Sequence, residues 1–414
     1  MLAIPRGIIY HSIFFEIKSL FCSFVCALNV KEAINNFENQ FSHYMGTKYC
    51  IAFPFARTAI YYSLKAQSFP VGTEIIMPPI TIKGILDVVL NLGLKPIFVD
   101  IDKDTLCFDL NTLRKSITNN TKVILITYLY GIVPDMEALI NICKQQKLFI
   151  IEDFSHNLNA TFKGNKLGTY GNIGVYSSSS VKTLDTFGGG LLVTSDTQLF
   201  SVLQNYNSNL NKSSRKFLIK KILINLIRNI ATNRFLFNFI TFPLIKIFKY
   251  FSPDDIMKYT GTKDHMPIND LPLELFYSYT SLQAKVGSEI LNDVSKLDKI
   301  RVNNVSKIIS NVKNICIPKG NVKGGSIYWQ LPFYSDDTRK NQEYCHANKI
   351  DTSTTSLINI SSLSLYPYQG TTPIAEKLYT SGIFIPSYPG LNDRDINYII
   401  NVLNKILNLK ISIY

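Results

Sequence analysis

From residue 46 onward, short apolar runs alternate with helix-length segments, and this rhythm restricts the chain more than any other feature. Runs at 74–77, 96–100, 122–127, 148–153, 174–177 and 190–193 have strand length, while 58–67, 82–92, 111–117 and 134–146 have helix length. Strands separated by helices pair in parallel, because the chain must cross over to return to the same edge. The expected architecture is therefore α/β, with a mostly parallel, doubly wound sheet. Sheets of this kind bind ligands beyond the carboxyl ends of their strands.

Residues 205–270 interrupt the rhythm with a polar front (206–214), two amphipathic helix candidates and a Pro/Asp/Thr loop (252–270). A helical region at 281–309 follows, then short strands at 326–333 and a final amphipathic helix at 393–407. The chain thus divides into a large domain with its opening segment (1–204), an insertion (205–270), and a helix with a smaller C-terminal α+β domain (271–414).

Composition excludes several classes. At 46% apolar residues over 414 positions, the chain has enough to build large cores and is not predominantly disordered. Its seven cysteines are odd in number and show no Cys-x-x-Cys spacing, so neither a disulfide framework nor a zinc knuckle is indicated. A reducing cytoplasm is expected. His11, His43, His265 and His346 lack metal-ligand spacing, and no metal is expected.

The net charge of +13 is local in origin. Between Asp196 and Asp254 lie nine cations and no acid, which leaves +4 for the rest. A basic segment rich in Ile, Leu and Phe fits peripheral contact with an anionic membrane better than nucleic acid, for which no helix-turn-helix or zinc finger is present. Its other reading is a helical pair packed on its own domain. The longest charge-free run there, 235–245, falls short of the roughly 17–25 residues a span requires. The N-terminal 28 residues are broken by Arg6, His11, Glu16 and Lys18, unlike a secretory signal.

Chemistry concentrates in 148–193. One apolar run ends in Glu152-Asp153, and another delivers a Ser-rich loop, Lys182 and Gly188-Gly189-Gly190. A cofactor such as pyridoxal phosphate (PLP) needs these parts: a lysine amine for the Schiff base, a carboxylate for the pyridinium nitrogen, and hydroxyls and amides for the phosphate. The glycines suit a turn needing positive φ.

The stretch Ile151-Glu152-Asp153-Phe154-Ser155-His156, then Thr161-Phe162-Lys163-Gly164, Gly171-Asn172-Ile173-Gly174 and Val175-Tyr176-Ser177 before Lys182, resembles the DegT/StrS family of fold-type I, PLP-dependent nucleotide-sugar aminotransferases. Lys182 stands 29 residues after Asp153 and five after Ser177. Phe37-Glu38-Asn39-Gln40-Phe41, Tyr128-Leu129-Tyr130-Gly131, Leu282-Gln283-Ala284 and Pro386-Ser387-Tyr388-Pro389-Gly390 extend the likeness over nearly the whole chain except 205–270.

The resemblance implies that Lys182 is the Schiff-base lysine and proton shuttle, and that Asp153 pairs with the ring nitrogen. It also implies that Ser177 and Thr58 hold the phosphate and that His156 stands beside the ring hydroxyl. Arg57, in Ala56-Arg57-Thr58 where the family has Ser-Gly-Thr, adds a cation to the phosphate cup or points outward. Ile82 replaces a stacking aromatic ring, and Phe276 and Ser278 replace an Asn and an Arg that reach across a dimer. The function implied is transfer of an amino group, with glutamate the expected donor, to a nucleotide-linked keto-sugar for surface polysaccharide or glycoconjugate synthesis, by a homodimer. Two alternatives are a degenerate member acting as a membrane-associated regulator or scaffold, and a PLP-dependent sugar dehydratase. The dehydratase chemistry typically has histidine in place of Lys182.

Overall fold

A computed structural model of the protein describes residues 1–251, 270–355, 357–362 and 370–408. Its centre is a sheet of seven strands: β1 (Tyr49–Phe53), β2 (Glu74–Met77), β3 (Lys95–Phe98), β4 (Thr121–Thr127), β5 (Phe149–Asp153), β6 (Ile173–Ser177) and β7 (Gly190–Thr194). Their spatial order is β1-β7-β6-β5-β4-β2-β3. The strands from β6 to β3 run parallel, and β7 is antiparallel to both its neighbours.

Both faces of this sheet are covered, which explains the near-continuous apolar runs of its central strands. In β4 only Lys122 is exposed. Side chains alternate across a strand: Ile124 and Ile126 enter one core, whereas Val123 and Leu125 enter the other. The chain's main helices are α1 (Ile13–Val25), α2 (Lys31–Met45), α3 (Ala56–Ala66), α4 (Lys83–Asn91), α5 (Leu110–Ser116), α6 (Met136–Gln145), α7 (Thr197–Ser208), α8 (Arg215–Thr232), α9 (Ser281–Ile290), α10 (Val294–Asn311) and α11 (Asp393–Asn408). α2 and α6 cover the first core, and α3, α4 and α7 cover the second. On α2, Phe37, Phe41 and Met45 form one buried stripe, and Gly46 (φ 75°) ends the helix in the left-handed conformation.

A third core belongs to the C-terminal unit. There β8 (Leu331–Tyr334) pairs antiparallel with β9 (Gly382–Ile385), and α10 and α11 pack against them. Ile4 lies in this core, and Arg6 grips Asp351 with bonds of 2.6 and 2.7 Å. The first residues of the chain are therefore attached to its C-terminal unit.

The insertion consists of α8 and a helical run from Arg234 to Phe251 with a π-turn at Phe237–Thr241. Residues 252–269 of the expected loop lie outside the described residues. The inner face of α8 packs Leu218 and Ile222 beside Phe187 and Leu282, so this part of the insertion is folded onto the large domain. Its outer face exposes Leu223, Ile224 and Ile227. Three of the nine cations have internal roles. Arg215 donates to the carbonyls of Ser23 and Cys26 at the end of α1, Arg234 pairs with Asp395, and Lys221 is mostly buried. Among the described residues no helix is long and apolar enough to cross a membrane.

Candidate active site

Two adjacent carboxylates end β5, and the pleat assigns them different work. Glu152 is fully buried and accepts the N–H groups of Gly168 (2.8 Å), Tyr170 (2.7 Å) and Gly171, together with the Tyr128 hydroxyl. It is spent on tying the 168–171 turn to the sheet. Asp153 stands at the carboxyl edge, where its Oδ1 accepts the N–H (3.0 Å) and hydroxyl of Ser155. The Ser177 N–H, at the end of the neighbouring β6, donates to Ser155 Oγ at 3.0 Å, and the Ser177 hydroxyl donates to Ser179 Oγ at 3.1 Å.

The loop after β6 carries Lys182 and returns through Gly188 (φ 102°) and Gly189 (φ 138°), a backbone open mainly to glycine. Gly190 is required for a different reason. A Cβ there would lie 2.3 Å from the Ala56 nitrogen, because β7 passes directly under the start of α3. That start has Phe55 as its N-cap and no side-chain hydrogen bond, so its first N–H groups remain available.

These elements enclose a cavity of about 380 Å³, walled by Phe55, Arg57, Ile82, Tyr130, Asp153, His156, Ser177, Lys182 and Trp329, among others. The Lys182 amine lies 3.9 Å from the centre of the Trp329 ring. Burial lowers its pKa to about 7, against the opposing attraction of Asp153. Burial likewise raises the Asp153 carboxyl, although Ser155 and Lys182 favour its charged form. Desolvation outweighs attraction at both ends of the pair. His156 Nδ1 accepts the Tyr130 N–H at 3.1 Å, which assigns the ring proton to Nε2. Its ring stacks on Trp329 at 4.2 Å, and burial, aided by Lys182, holds its pKa well below 6.5.

Five of the six residues singled out in the sequence meet at this cavity: Arg57, Asp153, His156, Ser177 and Lys182. Thr58 does not. Its side chain is fully buried behind the wall, and its hydroxyl donates to the Leu275 carbonyl at 2.8 Å, so the expected phosphate contact by that hydroxyl is corrected. Arg57 faces the cavity rather than solvent, and its buried Nε has no hydrogen-bond partner. Phe276 packs on Tyr61, with ring centres 5.6 Å apart, and Ser278 Oγ accepts the Ser213 N–H at 3.2 Å. Trp329 and Ser155 are wall residues not singled out as site residues. Trp329 lies 147 residues beyond Lys182, and only tertiary folding shows its role; Ser155 stood inside the quoted motif.

The residues fit pyridoxal phosphate. An unpartnered Arg57 Nε, uncapped amides and the Ser177–Ser179 hydroxyls suit a dianion at one end of the cavity. A desolvated lysine amine and a carboxylate share its deeper wall. Among the described residues no group of His, Cys, Asp and Glu is arranged to hold a metal.

Comparison with known proteins leads to the same chemistry. The model of the DegT/DnrJ/EryC1/StrS aminotransferase family matches residues 27–222. GDP-perosamine synthase of Escherichia coli O157:H7 is 24% identical over 381 residues, 91% of each chain. Among solved structures, an aminotransferase from Psychrobacter cryohalolentis superposes with a TM-score of 0.75 at 19% identity, covering 98% of this chain and 99% of that one. An E. coli GDP-4-keto-6-deoxy-D-mannose-3-dehydratase with bound hydrated PLP gives 0.73 at 20% identity, covering 97% of this chain and all of the other. The matched segment, just under half of the chain, carries every polar residue of the cavity's deeper wall, the fold is shared end to end, and the chain is similar to the DegT/DnrJ/EryC1/StrS aminotransferase family, with the parts of a PLP-dependent aminotransferase.

Proposed function

We propose that the protein is a sugar aminotransferase that moves an amino group from an amino acid, glutamate in the first instance, to a keto-sugar carried on a nucleotide. The observation that carries this reading is the buried Lys182 amine sharing one cavity with Asp153 at the carboxyl ends of β5 and β6. When bound, PLP supplies an electron sink for the carbanion formed at the substrate carbon. Lys182, with its pKa lowered to about 7, can take and return a proton at Nζ near neutral pH. Asp153 keeps a proton on the ring nitrogen by charge pairing in a desolvated wall. His156 offers Nε2–H to the ring hydroxyl, while Arg57, Ser177 and the start of α3 bind the phosphate. Trp329 covers the Lys182 amine and limits access of water.

A dehydratase reading is disfavoured by Lys182 itself, since that chemistry typically uses histidine at this position. The active species is taken to be a homodimer, with products directed to surface polysaccharide or glycoconjugate synthesis. Peripheral attachment at the cytoplasmic face of a membrane is supported by exposed Lys212, Lys216 and Lys220 and by exposed Phe14, Phe21, Ile227 and Phe235.

The test is spectroscopic. Glutamate should shift the absorbance of the PLP-loaded protein, and a nucleotide-linked keto-sugar should reverse the shift. Borohydride should fix the cofactor to Lys182. A persistent adduct in Lys182→Ala, or no response to any amino acid, overturns the reading.

A further inference from the structure

Lys221, Asn225 and Asn229 follow one another at four-residue intervals along one face of α8. The middle one, Asn225, accepts the Ser180 hydroxyl and donates to Asp185 Oδ2 at 2.9 Å, so this face touches the loop that carries Lys182. One turn earlier, Lys221 Nζ lies 4.1 Å from the centre of the Phe55 ring and 4.8 Å from that of Phe217. Phe55 is the residue from which α3 starts, and the Arg57 guanidinium lies 4.7 Å from the same ring. On the loop side, Gly188 leaves room for the amine, since a Cβ there would stand 2.5 Å from Lys221 Nζ.

Two cations therefore share one aromatic ring at the open end of a helix that borders the cofactor cavity. Among the described residues neither has a carboxylate at ion-pair distance. Burial first, and Arg57 second, bring the Lys221 amine down to about 8. Two like charges in a desolvated place oppose folding unless an anion joins them. The buried Nε–H of Arg57 has no acceptor among the described residues, so a donor that an anion could match is left over beside the cavity.

We infer that Lys221, supplied by the insertion of the same chain, acts with Arg57 to neutralise the phosphate of pyridoxal phosphate. This rests on PLP as the cofactor. Arg57 is the contacting group at the cavity wall. Lys221 acts from behind Phe55 as a positioning residue, through its charge and through the Phe55 ring it holds. The amino end of the insertion helix is thereby part of the cofactor cup.

The test compares PLP with pyridoxal, which has the same aldehyde and ring but no phosphate. Both are titrated by absorbance into the cofactor-free wild-type protein, Lys221→Gln and Lys221→Arg. Lys221→Gln should weaken PLP binding about tenfold, the scale of one charge-assisted contact, and leave pyridoxal binding unchanged. Lys221→Arg should restore most of the loss. Inorganic phosphate should raise the melting temperature of the cofactor-free wild type more than that of Lys221→Gln. Equal weakening of PLP and pyridoxal would mean that Lys221 only supports the loop, and unchanged PLP binding would mean that its charge is idle; either overturns the inference. A wild-type protein that binds neither aldehyde removes the cofactor assignment itself, which the wild-type titration reveals before any variant is compared.

Discussion

Replacing Lys182 by methionine, which keeps the length of the side chain and removes its charge, should stabilise the cofactor-free protein. The lysine is buried, and its pKa falls from 10.5 in the unfolded chain to about 7 in the fold. Between these values the unfolded chain binds a proton that the folded chain does not, so wild-type stability rises with pH across that window. At pH 8 the burden of holding the amine neutral is about 3 kcal/mol, at roughly 1.4 kcal/mol per pH unit. Lys182→Met removes this burden, so its advantage should be largest near and below pH 7 and fade toward pH 10.5. Urea unfolding of both proteins at pH 7, 8 and 9 measures it, with the cofactor stripped because ligand binding would stabilise the two proteins unequally. A wild-type protein that is the more stable at pH 7, or a difference that does not change with pH, would refute the assignment of a desolvated, largely neutral amine.

Four other expectations follow from the same geometry. Asp153→Asn should still attach PLP at Lys182 but slow the glutamate half-reaction by roughly 100-fold or more, as loss of a charge aimed at the reacting group does; stopped-flow absorbance reads this, and an unchanged rate rejects the role of Asp153. Gly190→Ala should destabilise by about 3 kcal/mol, because its Cβ meets α3 backbone rather than a movable side chain; a thermal melt within a degree of wild type would contradict that. Anionic vesicles should co-sediment the protein, and neutralising Lys212, Lys216 and Lys220 together should weaken binding by about 1 kcal/mol per charge, whereas equal binding to neutral vesicles, or none to either, rejects membrane attachment. Sedimentation of the PLP-loaded protein should give a twofold-symmetric dimer, and an active monomer would rule it out.

The sheet was legible because parallel strands buried on both faces must be written as short, continuous apolar runs. β2 begins and ends where its run does, β4 to β7 each match their run at one end and differ by one residue at the other, and β3 starts one residue before its run and ends two before its close. β1 (Tyr49–Phe53) is not among the expected strands, although Gly46 ends α2 before it and Pro54 follows it. Asp153, Ser177 and Lys182 were legible through their spacing. Thr58 misled, because its place at the start of α3 is correct but its χ1 turns the hydroxyl to Leu275, a contact made across 217 residues. The charge count of the insertion is legible in the sequence and its partition is not: Lys221 sits among cations that face solvent, and only the rotation of α8 about its axis separates it from Lys216 and Lys220.

That rotation also explains why α1 and the insertion, which supply no residue to the deeper wall of the cavity, are built into the protein. The catalytic loop is strained: Val181 (φ 68°), a β-branched residue, and Phe187 (φ 59°) both occupy left-handed backbone, at a cost of about 1–3 kcal/mol each. Such conformations persist where their surroundings leave no alternative. Here Asp185 Oδ1 accepts the Phe187 N–H at 2.8 Å, Oδ2 accepts Asn225 of α8, and the Asp185 carbonyl accepts His11 Nε2 at 2.8 Å. Glu16 of α1 closes the network by accepting Asn225 at 2.9 Å and Asn229 at 3.1 Å. From the other side Gln283 Nε2 donates to the Gly188 carbonyl at 2.6 Å, and the Tyr279 hydroxyl donates to Thr186 at 2.8 Å. Burial raises the Asp185 carboxyl and, without these donors, would leave it charged and unsolvated or protonated and slack. The loop that aims Lys182 therefore takes its shape from three elements distant in sequence, and α8 holds it at Asn225 on the same face that presents Lys221.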